Sequence, residues 1–572
     1  MLEYVPRQFA LRPIQREILS AIDEKIKSGY RRIVLCAPTG VGKSLVGVTA
    51  ARCFGSSFIV TASKNLQNQY VQDFGFLRPV KGKSNFACHL IMADKKIDDP
   101  KYAERAGMTC EKGQCTTRRV TDGRVKYEVC RFKPTVQDVQ KGSCSNDACL
   151  YYLQKYTGLV SAHSLWNYSS FFQIMKFGKE AFAPYLGRPI AIFDEAHTIE
   201  EQIVQFVGYD IRRRHLEDAR INIERYDLGD IDDVLRVISD IAVHYAERIR
   251  DVEDADEPRY HPEYGGLGRL QSTYEMAAQA RIDIEQDREN FVANKPEIDT
   301  DGRIKLISIK PVDISGFAGE FFDAKYNIFM SATIDKPSFC ENMGIALDDV
   351  AMVDTPRSPF PAESRAVELL RVRHLNYRST PGDEAAVINA IDGIMDKFRD
   401  RRGLVLTSSV ARCYRILDGL SERNKRRMRI CHSQNPNGKT QNEVIAEHQS
   451  DPHSVLLSSS LWEGVDLKDD MSRFQIIAKV PYPNYSENRT RAKMAKFPRW
   501  YEARTLTKLL QGMGRSVRNE NDWATTYVLD AAVDKLLRRR DMIPMSYRDV
   551  LGMGSNGGGS RYGRSGIRPQ TM

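Results

Sequence analysis

No run of about 18 apolar residues occurs in this chain of 572 residues, so it offers no membrane-spanning helix. The first residues, Met1-Leu-Glu-Tyr-Val-Pro-Arg7, lack the apolar stretch of a secretory signal. No internal repeat of fixed period is present, which sets aside solenoids and propellers. Neither sign of charge dominates: 84 basic against 75 acidic residues leave +9, a balance that suits a polyanion without demanding one. The expectation is an intracellular, cytoplasmic protein with no membrane partner, nucleoid-associated if that polyanion is nucleic acid. Apolar content of 42% and charged content of 28% are those of a globular protein, and the length is too great for a single core.

The apolar runs Arg32–Cys36, Phe58–Thr61 and Ile190–Phe193 each lead into polar residues and read as strands of a parallel α/β sheet. Leu404–Thr407, Val455–Ser458, Ile476–Ala478 and Thr526–Leu529 read the same way in a second α/β unit. Between them, Val234, Ile238, Ile241, Tyr245 and Ile249 step by four, three, four and four along one helix face. Leu270, Tyr274, Ala277, Ile284 and Phe291 suggest a second helix, and residues 205–304 are expected to be an all-helical insertion. The Gly/Arg-rich segment 552–572 has too little apolar content to fold.

Ala37-Pro-Thr-Gly-Val-Gly-Lys-Ser44 fits a phosphate-binding loop, with Ala37 standing where the general signature has its first glycine. Thr39, Gly40 and Gly42 permit backbone N–H groups to wrap around phosphates; Lys43 would neutralise their oxygens and Ser44 would ligate Mg²⁺. About 150 residues on, Asp194-Glu-Ala-His197 ends an apolar run. There Asp194 can hold Mg²⁺ through water and Glu195 can activate the attacking water. His197 is a candidate relay to the second unit, and Arg12 and Gln15 are candidates to read the adenine edge. Downstream, Gln511-Gly-Met-Gly-Arg-Ser-Val-Arg518 places Arg515 and Arg518 three apart, a spacing read as one helix face, from which both can act as arginine fingers. Ser331-Ala-Thr333 and Leu461-Trp-Glu-Gly-Val-Asp-Leu467 supply small and polar groups, Gly464 and Asp466 among them, suited to linking nucleotide state with strand grip.

Six of the eleven cysteines, Cys88, Cys110, Cys115, Cys130, Cys144 and Cys149, lie between the phosphate loop and the acidic box. ATP hydrolysis needs none of them, and in a reducing compartment clustered thiols favour metal over disulfides. Four thiolates suit a [4Fe–4S] cluster and also structural zinc; the lack of any Cys-x2-Cys knuckle counts mildly against a zinc ribbon. Lys81, Lys83, Arg118, Arg119, Arg124, Lys126, Arg131 and Lys133 make the region basic, which suits phosphate contact.

The order phosphate loop, DEAH, SAT, WEGVD, QGMGRSVR resembles a superfamily 2 helicase with two RecA-like motor domains. The closer resemblance is to the DinG/XPD branch, through Lys81-Gly-Lys-Ser-Asn-Phe-Ala-Cys88, Cys149-Leu-Tyr-Tyr, Ile309-Lys-Pro-Val-Asp, Ser358-Pro-Phe-Pro361 and Val480-Pro-Tyr-Pro483. It implies motor domain 1 in the parts 1–86, 160–204 and 305–345, an iron–sulfur module at 87–159, a helical arch at 205–304 and motor domain 2 at 346–551. It implies an ATP-dependent DNA helicase moving 5′→3′ on single-stranded DNA, acting on forked or tailed duplexes and using ATP, Mg²⁺ and a [4Fe–4S] cluster. Cys88 and Cys149 match the family's flanking ligands. Cys115 and Cys130 are favoured as the inner pair, with Cys110 and Cys144 as alternatives. Family members with an exonuclease carry it before the motor, which here begins about a dozen residues in, so none is expected. A nucleic-acid-stimulated ATPase that remodels RNA–DNA hybrids or protein–nucleic acid complexes stays open as the alternative, and a monomer is the expected state.

Overall fold

The computed structural model describes all residues except 114, 122–123, 255–266, 300, 433–434, 436–437, 466, 468, 520 and 554–572; for 117–121, 124–127 and 254 it describes the backbone alone. Asp466, the tail from 554 and the side chains of Arg118, Arg119, Arg124 and Lys126 therefore lie outside the description.

Two parallel sheets carry the fold. The first runs in the order Val350–Asp354, Arg32–Cys36, Tyr326–Ser331, Ile190–Asp194, Ser57–Thr61, His163–Asn167, Arg78–Val80. Ser57–Thr61 and Ile190–Asp194 are buried at every position, because helices cover both faces and no alternation with polar residues is needed. The second runs Val367–Arg373, Thr525–Asp530, Phe474–Ile477, Gly403–Leu406, Val455–Ser458, Met428–Ile430, again parallel throughout. Open sheets of this kind bind ligands at the carboxyl ends of their strands, which is where the loops singled out in the sequence fall.

Four expectations are corrected. Val350–Asp354, placed in motor domain 2 by the boundary at 346, pairs with Arg32–Cys36 and closes one edge of the first sheet. The helix Leu150–Val160 crosses the boundary at 159, and its Tyr156 and Leu159 enter the core of the first unit. The insertion at 205–304 is not all helical. Its helices Ile231–Asp254 and Leu267–Gln286 pack together, but Tyr209–Arg212, Phe291–Ala293, Glu297–Ile298 and Ile304–Pro311 form an antiparallel sheet beside them. The alternating Ile304-Lys-Leu-Ile-Ser-Ile-Lys is a strand pattern, with Ile307 and Ile309 buried. Accordingly Phe291 sits in a strand, and Tyr274 points outward at 38% exposure.

Two interior histidines bear on stability. His448 is fully buried, its Nε2 2.8 Å from the Met471 carbonyl and its Nδ1 2.7 Å from Ser454 Oγ. His215 is buried against Tyr209 and Tyr245. Burial, with Arg402 beside His448 and Arg212 beside His215, pushes both down to about 4. A folded value below the ordinary 6.5 means that the unfolded chain binds protons first. Their contribution is complete above about pH 6.5 and is lost as pH falls toward 4, on the order of a few kcal/mol for each ring. Thermal unfolding scans should show a melting temperature steady above about pH 6.5 and falling steeply below it; a flat profile down to about pH 4 would show that these rings are solvated.

Candidate functional site: a cleft between two parallel sheets

The strand Arg32–Cys36 delivers the phosphate loop, and the helix Lys43–Cys53 begins directly after it. Gly40 and Gly42 have φ of +86° and +82°, conformations that turn the backbone N–H groups inward and that side chains resist. Lys43 Nζ donates to the Ala37 carbonyl at 3.2 Å, so the ammonium lies within the loop's concavity. Arg12 and Gln15 brace this loop. Gln15 Nε2 donates to Val41 O at 2.8 Å, Gln15 Oε1 accepts from Arg12 N–H at 2.9 Å, and Arg12 Nη1 donates to Gly40 O at 3.0 Å.

Asp194 ends its strand fully enclosed. Its Oδ2 accepts from Tyr70 O–H at 2.7 Å and its Oδ1 from Glu195 N–H at 2.9 Å, while Tyr168 O–H holds its backbone carbonyl at 2.9 Å. Burial, then the neighbouring Glu195 charge, pushes this carboxyl up to about 6 against the pull of Lys43 and Tyr70. Tyr70 also hydrogen-bonds Ser44, so the hydroxyl and the carboxylate expected at Mg²⁺ share one phenol. Glu195 has φ +51°, a left-handed conformation that costs a non-glycine residue about 1 kcal/mol. Its Oε2 is buried without a hydrogen-bond partner. Two carboxylates facing Lys43 and Ser44, with one Glu195 oxygen making no hydrogen bond, fit a hard divalent cation.

His197 connects three motifs. Its Nδ1 is 2.8 Å from Ser331 Oγ, and its Nε2 is 3.5 Å from Glu463 of the Trp-Glu-Gly string. Burial would raise the Glu463 carboxyl, but the His197 hydrogen bond and charge, with Arg504 and Arg515, hold it well below the usual range. Gln511 Nε2 donates to Thr333 Oγ1 at 3.0 Å, a buried bond from the second unit to the first. Arg515 Nη1 donates to Val465 O at 2.9 Å on its own unit, and Arg518 N–H to Asp522 at 3.2 Å. The two arginines do not share a helix face. The helix Pro498–Met513 stops before them, where Gly512 packs on the Trp462 ring and Gly514 follows. Gly464 takes φ +85° in the turn between Glu463 and Val465.

Motif reading missed the contacts that hold the units together. Glu200, on the helix following the acidic box, accepts from Arg489 Nη2 at 3.0 Å and Trp500 Nε1 at 2.7 Å, with Lys493 Nζ at 3.4 Å. Arg499 grips Asp335 with two 2.6 Å bonds, and Arg504 pairs with Glu201. The one available signal was the basic helix Asn488–Lys496, which on its own reads as a solvated face.

In the cysteine-rich segment, Cys88, Cys110 and Cys149 are buried together with half-buried Cys130 beside them, and Cys110 Sγ lies 3.7 Å from Cys149 Sγ. Cys110 also hydrogen-bonds Cys88, and the pair Cys88 and Cys149 is drawn down by it to about 7 and about 6. Cys115 is joined to Cys130 at the base of a hairpin, through Cys130 N–H to Cys115 O at 3.0 Å. Cys144 is half-buried outside this cluster. Among the described residues no three His, Cys, Asp or Glu side chains stand as a metal site; the thiols pack on one another, and their donor chemistry suits a thiolate-held centre. A cavity of about 1280 Å³ separates this segment from the first sheet and the helical insertion, lined by Lys81, Lys83, Tyr152, Lys155 and Trp166 among others. Burial, with Lys83 and Lys133 nearby, pushes Lys155 down to about 8.

Residues 8–213 match the type III restriction enzyme res subunit family and residues 394–545 the helicase C-terminal domain family. The chain is 24% identical to the ATP-dependent DNA helicase YoaA of Haemophilus influenzae and 22% to that of Escherichia coli, each match covering 91% of both proteins. Among solved structures, an XPD helicase superposes with a TM-score of 0.60 at 14% identity, covering 95% of this chain and 98% of that one. Xpd4 of S. tokodaii gives 0.52 over the same shares. Over nearly its whole length the chain is thus similar to helicases of the DinG/XPD type of superfamily 2.

Removing the Glu200 carboxylate would leave Arg489 and Lys493 buried without their counter-charge. Glu200→Ala should destabilise the contact by on the order of 3–5 kcal/mol, seen as a lowered melting temperature and faster proteolysis between the units. Unchanged stability would show that these charges are solvated.

Proposed function

We propose that this chain is an ATP-dependent DNA helicase that translocates 5′→3′ on single-stranded DNA and carries a [4Fe–4S] module. The observation that supports this most is the divided site: phosphate loop and acidic box in the first unit, Gln511, Arg515 and Arg518 in the second, with Gln511 already bonded across at Thr333. Such a site is complete only when the two units close, so binding and release of nucleotide become relative movement.

In this reading Lys43 and the loop N–H groups hold the β and γ phosphates, while Ser44 and Asp194 hold Mg²⁺. Bound Mg²⁺ would supply positive charge to the phosphate oxygens. Glu195 orients the attacking water and takes its proton, with His197 Nδ1 3.4 Å from its Oε2. Arg515 leaves its bond at Val465 and, with Arg518, reaches the transferring phosphoryl group and stabilises its charge. His197, between Ser331 and Glu463, passes the state of the acidic box to the second unit. Reopening after hydrolysis advances the protein along the strand.

The cavity beside the cysteine-rich segment, with Lys81, Lys83 and Lys155 on its wall, suits a single strand's phosphates. Cys88, Cys110 and Cys149 would hold the cluster, with a fourth thiol from the hairpin base, Cys115 or Cys130; Cys110 thus enters the set in place of one favoured inner ligand. The cluster would fix this segment against the first unit. The division into two motor domains, inserted module and arch, an intracellular location and action on forked DNA belong to the same reading.

Strand displacement on tailed DNA and matched RNA–DNA forks tests it. Wild type is expected to unwind 5′-tailed DNA with ATP hydrolysis stimulated by single-stranded DNA, and Lys43→Ala to lose both. Strong ATPase with no displacement on any fork would contradict helicase action and favour remodelling. Anaerobically purified protein should contain iron and sulfide, lost in Cys110→Ser and kept in Cys144→Ser; colourless protein containing zinc would overturn the module and leave the motor standing.

A further inference from the structure

The two units are joined through Ser358-Pro-Phe-Pro361, and Phe360 in this turn is only 5% exposed. Its ring lies against Gly40 on the side where a side chain would project. A Cβ built on Gly40 would stand 2.1 Å from the ring's Cζ and 2.5 Å from Cε2. The same ring forms a small buried cluster with Val517 and Ala524 of the second unit. Val517 immediately precedes Arg518 and lies two residues after Arg515. One aromatic side chain therefore contacts the phosphate loop and the segment that bears both arginines.

The turn is fastened to the second unit. Arg365 Nε donates to the Phe360 carbonyl and Arg365 Nη1 to the Ser546 carbonyl, each at 3.1 Å, and Arg365 pairs with Asp549 at 2.5 Å. Ala524 N–H donates to Ser364 O at 2.9 Å. The ring thus travels with the second unit, while Gly40 travels with the first. Its contact is with backbone, which has no side chain to rotate away, and close-packed groups transmit displacement rather than absorb it. The cleft cannot close by an ångström unless the ring slides over the loop or presses it.

The geometry points to Phe360 as a positioning residue of the ATP site. It registers the phosphate loop against Arg515 and Arg518, so that the arginines reach the phosphoryl group only when the loop has its nucleotide-bound shape. The ring touches no reacting atom in this role. The inference rests on the ATP-driven motor proposed above.

Full-length Phe360→Ala and Phe360→Leu, compared with wild type, test it through steady-state ATPase with and without single-stranded DNA and through binding of a fluorescent ATP analogue. Misplacing catalytic groups by about an ångström costs up to ~100-fold, so kcat should fall on the order of 10- to 100-fold in the alanine variant and less in the leucine variant. KM and analogue affinity should stay within about threefold of wild type. A raised KM at unchanged kcat would make the ring part of the nucleotide pocket and overturn the inference. Unchanged kcat and KM would reduce the ring to packing and overturn it equally. Should the alanine variant fail to fold, the leucine variant decides by the same criteria. A wild type without ATPase would sink the motor reading and this inference with it; an active wild type with unaffected variants sinks this inference alone.

Discussion

The ion pairs around Glu200 are the constraint on which the rest of the arrangement depends. This carboxylate lies six positions after Asp194, and it is nearly enclosed. Burial alone would raise it, yet Lys493 and Arg489 of the other unit, with the Trp500 N–H, hold it below the ordinary range. A buried charge set of this kind is expensive to separate, because each group left behind lacks both water and partner. The second unit is consequently held against the acidic box itself, beside the Asp335–Arg499 fork that follows the Ser-Ala-Thr string.

From that clamp the geometry of the cleft follows. His197 rests between Ser331, at the end of its strand, and Glu463, in the turn after Val455–Ser458, because the two units are docked there, and Gln511 of the helix Pro498–Met513 reaches Thr333 for the same reason. Phe360, in the turn that joins the two units, lies against Gly40. The Arg515 guanidinium is meanwhile tied to its own unit at Val465, and the Arg518 backbone N–H to Asp522. The observed molecule has its two halves docked, with the Arg515 side chain bonded to the Gln511 and Val465 carbonyls of its own unit.

Much of this was legible in the sequence where the chemistry is local. Parallel strands covered on both faces show as unbroken apolar runs, so Arg32–Cys36, Ser57–Thr61 and Ile190–Asp194 stood out, as did the loop whose glycines need positive φ. What stayed hidden depends on chain segments meeting across long separations. Val350–Asp354 looks like any short strand until it finds Arg32–Cys36. The alternation in Ile304–Pro311 was overshadowed by two long amphipathic helices nearby. Spacing could not say which thiols converge, since that depends on how the hairpin Thr116–Val129 folds back. Tyr70, Glu200 and Arg489 carry no motif; their partners lie 124 to 300 residues away. The break after Met513 was written in Gly512 and Gly514, but the helical spacing of the arginines masked it.

The central claim is that one nucleotide is held by both units at once. Hydrogen exchange of the whole protein, with and without a non-hydrolysable ATP analogue and Mg²⁺, addresses it directly. The account predicts that protection rises together in residues 37–44 of the first unit and 511–518 of the second. Protection confined to 37–44, with 511–518 exchanging as before, would contradict it.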